Sequence, residues 1–512
     1  MNDENKYGIS ITGREPWLWL GLATLTIHLL FNGGYGFFRD ELYFIVCGNN
    51  PAWGYVDQPP LAPLIASWSH ALFGDFLTGF RLVPALAMTA TVALTAEFVR
   101  LLGGGRFAQW LAGLCVLCGT VFLAFGMFVS TDMFQQLTWL ACSWFIVRLA
   151  QTGDERWWIP FGIVVGFSLL SKYLIGFFLV GLAVGIVATP LRRSLVRPWI
   201  YIGAAIALLI ALPNVLWQQQ HGWPFLEVGA AGANGKNLAL SPLAFFAQQL
   251  LFIGPLAAPV WLAGLWAFAV RPQFPAYRAF PIAYVVMFAL FVALHGKGTY
   301  IAAIYPTLLA GGAVFIEGRI HARIARGAVL VTVALAGAGL VPFALPILSE
   351  ENYIAYAHAI GLSPSASSGE HQTLGSLPQH FADMHGWPQM AAKVAMVYNA
   401  LPPADRAKAA FFSTNYGEAA AIDVFGRPLG LPPAISGHNN YYLWGPRGHD
   451  GSVVIIIGGE RDQLLKEFRQ VDQSGTIDAP YASPSETDQP IYVLRGMKRP
   501  METVWPSVKN YS

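Results

Sequence analysis

Three ionisable residues in a row, Arg39, Asp40 and Glu41, interrupt a chain that otherwise avoids charge. Phe37 and Phe38 precede them, and Tyr43 and Phe44 follow. A carboxylate held among aromatics at the edge of an apolar segment is suited to accept a proton. Asp40 is the first candidate for that work and Glu41 the second. The plainer alternatives are a hydrated loop start, or Asp40 capping a short helix. Asp132, in "STDMF", is a third candidate carboxylate, and "STD" is equally good cap chemistry. Arg81, Lys172 and Lys297 also lie at the ends of apolar runs. They fit the neutralisation of a phosphate ester, or they snorkel to lipid headgroups. Arg39, Tyr43, His221 and Tyr300 complete the candidates as substrate contacts. For His221, in a loop rich in Trp and Gln, a satisfied structural role competes evenly. His28 reads as a buried polar contact inside an apolar run.

Composition says what must position these groups. The chain has 512 residues, of which 55% are hydrophobic and 12% charged, and its mean hydropathy is +0.47. Soluble domains carry about 25% charged residues, so a polytopic membrane protein is expected. The net charge of +2 gives no argument for nucleic acid. Cys115 and Cys118 form a C-x-x-C inside "LAGLCVLCGTVFLAF", without the polar company a metal or redox pair needs, and read with Cys47 and Cys142 as core residues. The first apolar run, 16–35, is too long for a signal-peptide core and is expected to be a retained span.

Segments of roughly 20 apolar residues number about eleven, near 16–36, 80–101, 107–126, 131–149, 157–171, 173–190, 198–216, 243–270, 279–294, 299–316 and 327–348. With the N-terminus in the cytoplasm, fourteen Lys and Arg fall in inside loops and five outside: Arg39, Arg81, Lys172, Lys236 and Lys297. That bias sets the orientation and places the C-terminus outside. All the candidate residues then gather at the outer face. The first outer loop, 37–79, is expected to hold helices lying along the membrane surface.

Residues 350–512 differ from the rest. Short strands at "AAFFS" (409–413), "SVVIIIGG" (452–459) and "IYVLRG" (491–496) alternate with helices at 387–401 and 461–471. This predicts a small soluble α/β domain on the periplasmic side, after a membrane domain at 1–349. No Gly-rich loop is placed for nucleotide phosphates. Carboxylates and cations beside lipid fit a phosphate-bearing lipid substrate, such as a polyprenyl-phosphate sugar.

The motifs "RDELYF", "DQPPL", "FRLVPAL", "STDMF", "LLSK", "LPNVLWQQQHGWP" and "KGTYIAAIYP" resemble, in order and spacing, glycosyltransferase family 39, of the protein mannosyltransferase and aminoarabinose transferase kind. The likeness covers nearly all of 16–320. "NYGEAAAIDVFG" and "PPAISGHNNYYLWGP" resemble bacterial members with a periplasmic tail. The resemblance implies a GT-C fold in an inner-membrane, multi-pass enzyme. It implies a polyprenyl-phosphate-linked sugar as donor and a lipid, glycan or protein hydroxyl as acceptor. Asp40 matches the family's catalytic base, Glu41 its acidic neighbour and Asp132 the second acidic position. Lys172 and Lys297 match basic positions near the lipid phosphate. Relatives often have His where this chain has Gln58, so no imidazole role carries over there. Direct displacement with inversion is expected. No cofactor is required by the sequence, although Asp40, Glu41 and Asp132 offer ligands for a divalent metal. The rivals are a flippase for lipid-linked sugars and a membrane-anchored binding protein. The charges clustered at one face argue against the first, and the second leaves them unexplained.

Overall fold

The computed structural model describes residues 15–233, 237–270, 275–364 and 374–512. Lys6, Arg14, Lys236 and Arg271, used in the charge count, lie outside the described residues. A helix stands at every apolar run that the sequence marks, from Pro16–Phe31 to Arg323–Leu340. Among the described residues five helices, including Leu82–Leu101 and Pro198–Gln220, are by themselves long and apolar enough to cross a membrane, and bent pairs raise this to as many as eight. Two expected single spans are broken. The run at 107–126 is two helices at 63°, and the run at 243–270 is Pro242–Ile253 and Ala258–Val270 at 113°. Gly254, at φ 96°, and Pro255 fall at the second break, and few residues other than glycine tolerate that backbone.

Helix contacts follow membrane rules. The faces of Pro16–Phe31 that meet protein carry Gly21, Thr24 and His28, while Trp19, Leu22, Leu29 and Leu30 remain exposed, as lipid-facing residues should. His28 is buried and its Nδ1 pairs with Asn32 Oδ1 at 3.0 Å, a buried polar contact. Helices Trp158–Ser171 and Pro198–Gln220 touch through Gly162 and Gly203, where a Cβ on either would strike the other backbone.

The C-terminal part is built on a five-stranded sheet in the order β2-β1-β3-β5-β4. The strands are β1 (Ala409–Ser413), β2 (Ile435–Ser436), β3 (Val453–Ile457), β4 (Phe468–Thr476) and β5 (Pro490–Met497). β1 runs parallel to both β2 and β3, and β5 is antiparallel to β3 and β4. The expected helix at 461–471 stops at Glu467 and continues as β4. Phe468 and Val471 are the buried positions of that strand's first half, and they join a cluster with Tyr492 and Leu494 of β5.

The first outer loop departs from the expectation of surface helices. Helix Arg39–Asn49 is buried from Glu41 to Gly48. Leu42, Tyr43 and Phe44 share one hydrophobic cluster with Trp387, Met390 and Phe411 of the C-terminal part. Helix Leu61–Phe73 does keep an exposed apolar face, through Trp68 and Leu72, as an interfacial helix would.

Candidate active site

The helix Arg39–Asn49 is the element on which the site is built. It begins with half of a capping box, in which Glu41, not Asp40, does the capping. Glu41 Oε2 accepts from Phe38 N at 2.8 Å, satisfying one of the free donors of the first turn. The same oxygen accepts from Arg81 Nη2 at 2.7 Å. Glu41 Oε1 accepts from Arg81 Nε at 3.0 Å and from Val129 N at 2.9 Å. Arg81 also donates to the carbonyls of Asn32 and Gly36. Both side chains are fully buried. This corrects two expectations: Glu41 has no face left to act on a substrate, and Arg81 has none left for a donor phosphate. Their work is to tie the loop to the helices around it.

Asp40 points the other way, with its side chain one-third exposed. It lines a cavity of about 620 Å³ together with Arg39, Tyr43, Lys172, Lys297 and Tyr300. Six of the ten candidate residues therefore share one space. Tyr416, from the C-terminal part, donates to Asp40 Oδ1 at 2.7 Å. Arg39 Nε lies 3.7 Å from Asp40 Oδ1, and Arg39 Nη2 lies 3.5 Å from Asp383 Oδ2. The Arg39 guanidinium also sits 5.4 Å from the centre of the Tyr416 ring. Burial holds the Tyr416 hydroxyl well above its ordinary pKa, so it stays protonated and remains a donor.

Lys172 ends helix Trp158–Ser171 in an extended conformation. Its Nζ donates to Asp132 Oδ2 at 2.6 Å and lies 5.1 Å from the Tyr300 ring centre. Asp132 is thus bound to Lys172 and is not among the cavity-lining residues. Its carboxylate does not cap the following helix, whose N-cap is Phe134 without a side-chain cap. Asp132 is therefore corrected from a catalytic acid or base to a partner of Lys172. Among the described residues, no group of three or more His, Cys, Asp or Glu is placed to hold a metal ion. The set Asp40, Glu41 and Asp132 is not such a group, because Glu41 and Asp132 are each committed to a cation.

His221 is the fourth correction. It is exposed, stacks on Trp217 with ring centres 4.0 Å apart, and is not part of the cavity. Its Nδ1 lies 2.8 Å from the Trp217 carbonyl oxygen, which makes it a local helix-end contact.

The cavity also holds residues that the sequence reading passed over. Asp57 accepts from Tyr43 Oη at 3.0 Å and from Asn439 Nδ2 at 3.2 Å. Asn439 is buried at φ 46°, a backbone that costs free energy and recurs at functional sites. His380 lines the cavity, with Nε2 3.0 Å from the Phe343 carbonyl oxygen. Burial lowers its pKa to about 4, so the ring is neutral near pH 7 and its Nε2 proton donates to that carbonyl. The signal for Asp57 stood in "DQPPL", one position before Gln58, which lines the same cavity. Tyr416 and His380 gave no comparable signal.

Known proteins are similar to this chain in part of its sequence and in its fold. The family described as dolichyl-phosphate-mannose-protein mannosyltransferase matches residues 57–217. The lipid A galacturonosyltransferase RgtD of Rhizobium johnstonii is 26% identical over 257 residues, 48% of this chain and 52% of that protein. A polyprenol-phosphate-mannose–protein mannosyltransferase of Corynebacterium glutamicum is 29% identical over 108 residues, 21% of each protein. The chain thus matches about half the length of the first relative and about a fifth of the second. In structure it is similar to ArnT from Cupriavidus metallidurans bound to undecaprenyl phosphate, with a TM-score of 0.61 at 15% identity, over 94% of this chain and 98% of that one. The apo form of that protein gives a TM-score of 0.57 over the same shares. Residues 57–217 are thus similar to that mannosyltransferase family, and the chain as a whole is a multi-pass membrane protein with the GT-C architecture of ArnT.

Proposed function

We propose that the protein transfers a sugar from a polyprenyl-phosphate donor to a hydroxyl of an envelope acceptor. The reaction is placed at the outer face of the inner membrane, with the N-terminus in the cytoplasm and the C-terminal part in the periplasm. The observation that carries this reading is the single cavity shared by Asp40, Lys172 and Lys297. It offers a carboxylate for the acceptor and cations for the donor. The relatives support the same class. Both curated relatives are named as glycosyltransferases, one of them polyprenol-phosphate dependent, and ArnT binds undecaprenyl phosphate.

In this mechanism Asp40 removes the proton from the acceptor hydroxyl. That oxygen forms a bond to the anomeric carbon while the bond from that carbon to the phosphate oxygen breaks. The electron pair leaves with the lipid phosphate, and attack opposite the leaving group inverts the centre. Lys172 and Lys297 face the charge that grows on the phosphate, so they stabilise the transition state more than the ground state. Tyr416 and Arg39 hold Asp40 towards the acceptor side. Asp132 fixes Lys172, and Tyr300 covers it. No step requires a metal.

The test is release of sugar from a labelled polyprenyl-phosphate donor by the purified protein in detergent, with envelope glycolipid present. Asp40→Asn preserves volume and removes the base, and should lower turnover about 10²- to 10⁴-fold. Near-normal turnover by that variant would overturn the role of Asp40. Absence of release by the wild-type protein, with donor transported across vesicles instead, would favour the flippase.

A further inference from the structure

A second cavity, of about 300 Å³, is lined by residues of the C-terminal part together with Arg39, and most of its lining takes no share in the chemistry described above. We infer that it binds a hydroxyl-rich saccharide, the headgroup of the acceptor, and presents it to Asp40. This inference rests on the transfer reaction proposed above and names the part of the fold that selects its acceptor.

The topology of the sheet puts a crevice there. β1 lies between β2 and β3 and runs parallel to both. The chain leaves β1 to one side and later returns on the other, so strand order reverses between β1 and β3. In open α/β sheets, ligands bind outside the carboxyl ends of the strands at such a switch point. The cavity is lined by the residues that follow all three parallel strands: Thr414–Tyr416 after β1, His438 after β2, and Gly458 and Gly459 after β3. Gly458 and Gly459 have φ of 72° and 89°, which lets the backbone turn away without a side chain filling the crevice.

Its polar lining suits hydroxyl groups. Glu418 and Glu486 both line it and are both more than nine-tenths buried. Glu418 Oε2 accepts from Ser413 Oγ at 2.7 Å, and Glu486 Oε1 accepts from Asn415 Nδ2 at 3.2 Å. Glu486 Oε2 is buried and receives no N–H or hydroxyl donor, while the Glu486 carboxyl is hydrogen-bonded to that of Glu418. A carboxyl has further acceptor sites, and an incoming hydroxyl would fill one. Burial raises the pKa of both carboxyls; the neighbouring Glu486 adds to the rise at Glu418, while Arg39 and a hydrogen bond with Glu418 oppose it at Glu486. A pair that shares a proton can both accept from and donate to neighbouring hydroxyls. No third carboxylate, His or Cys joins the pair in a cluster suited to a metal, among the described residues.

The position also fits delivery. Arg39, Tyr416 and Ser512 line both this cavity and the larger one. Tyr416 donates to Asp40, so a saccharide seated at Glu418 and Glu486 lies one side chain from the base.

The experiment is saturation-transfer NMR on the full chain in detergent. One probe is the saccharide pool released from the host envelope by mild acid, and the other is undecaprenyl phosphate. Wild-type protein should transfer saturation to sugar protons. Glu486→Leu should weaken this about tenfold or more, as expected for loss of a hydrogen bond to a charged group. Ser485→Phe fills the cavity from its exposed rim and leaves both carboxyls in place. It should abolish the sugar signal even where Glu486→Leu fails to fold. Undecaprenyl phosphate should bind wild type and Ser485→Phe alike. The inference is overturned if wild type gives no sugar signal, or if Ser485→Phe leaves it intact. Loss of undecaprenyl phosphate binding by the wild type would instead count against the transfer reaction itself.

Discussion

Tyr416 donates a 2.7 Å hydrogen bond to Asp40 from 376 positions away in the chain. The C-terminal part therefore supplies the residue that aims the carboxylate of the membrane part. An aimed base keeps its lone pair on the acceptor side without reorganising during reaction. Tyr416→Phe keeps the ring beside Arg39 and Tyr43 and removes only the donor. Steady-state kinetics should show kcat lower by about tenfold, the lower end of what a hydrogen bond to a charged group contributes. KM for the donor should stay unchanged. A change in donor KM with kcat intact would assign Tyr416 to donor binding instead.

Glu41 and Arg81 make the opposite kind of pair, fully buried and fully satisfied. Removing one member leaves the other charged in a dry site, which costs about 3–5 kcal/mol. Glu41→Gln and Arg81→Met should each lower the unfolding temperature strongly. The double variant Glu41→Leu with Arg81→Leu should recover part of the loss, because neither charge is then stranded. A calorimetric scan that finds the two single losses additive in the double variant would show that the ion pair is not what holds this junction.

Much of the candidate site was legible because charge is conspicuous in an apolar chain. Asp40, Lys172 and Lys297 stand out as polar residues where lipid-spanning segments end, and all three line the cavity. The same conspicuousness misled for Glu41 and Arg81. Sequence shows two anomalous charges 40 positions apart, and only packing shows that they neutralise each other. Tyr416 and His380 were hidden for the converse reason: in a segment of ordinary polarity a Tyr or His attracts no notice. The missed strand β4 follows a helix with no break in polarity, so "RDQLLKEFRQV" reads as one helix. What makes Phe468–Thr476 a strand is its pairing with β5, a contact that no local pattern contains.

Glu418 and Glu486 make stability depend on pH in a calculable direction. Both carboxyls have raised pKa values in the folded chain, by burial first. Glu418 faces Glu486, and Glu486 also faces Arg39, which lowers its pKa, and Asp383, which raises it. Above the unfolded value near 4.3, the folded state binds more protons than the unfolded state, so stability falls as pH rises. The contribution is fully present below that value and is lost as pH rises through the folded pKa. Thermal unfolding followed from pH 4.5 upward should show this decline, and Glu418→Gln should flatten it. A decline of equal slope in that variant would place the titration elsewhere.

Lys172 and Lys297 line the same cavity, and the part each takes there is measurable. Lys172 is paired with Asp132 at 2.6 Å, so part of its charge is already answered. Lys297 is followed by Gly298 and Thr299, which also line the cavity. Backbone N–H groups there can join a cation in holding phosphate. If both lysines face the leaving phosphate, Lys297→Met should lower kcat/KM for the donor by about 10- to 150-fold, the range for a charge-assisted hydrogen bond. Lys172→Met should lower it less in the presence of Asp132. In an Asp132→Asn background, which frees the Lys172 charge, the effect of Lys172→Met should grow. Arg at either position should rescue only partly, because the charge remains while its geometry changes. Snorkelling to headgroups predicts something else: a small loss of stability and no change in donor kcat/KM. Donor titrations across the four proteins Lys172→Met, Lys297→Met, Asp132→Asn and the Lys172→Met/Asp132→Asn double variant separate the two roles, since only contact with the phosphate makes the effect of Lys172 depend on Asp132 in this direction.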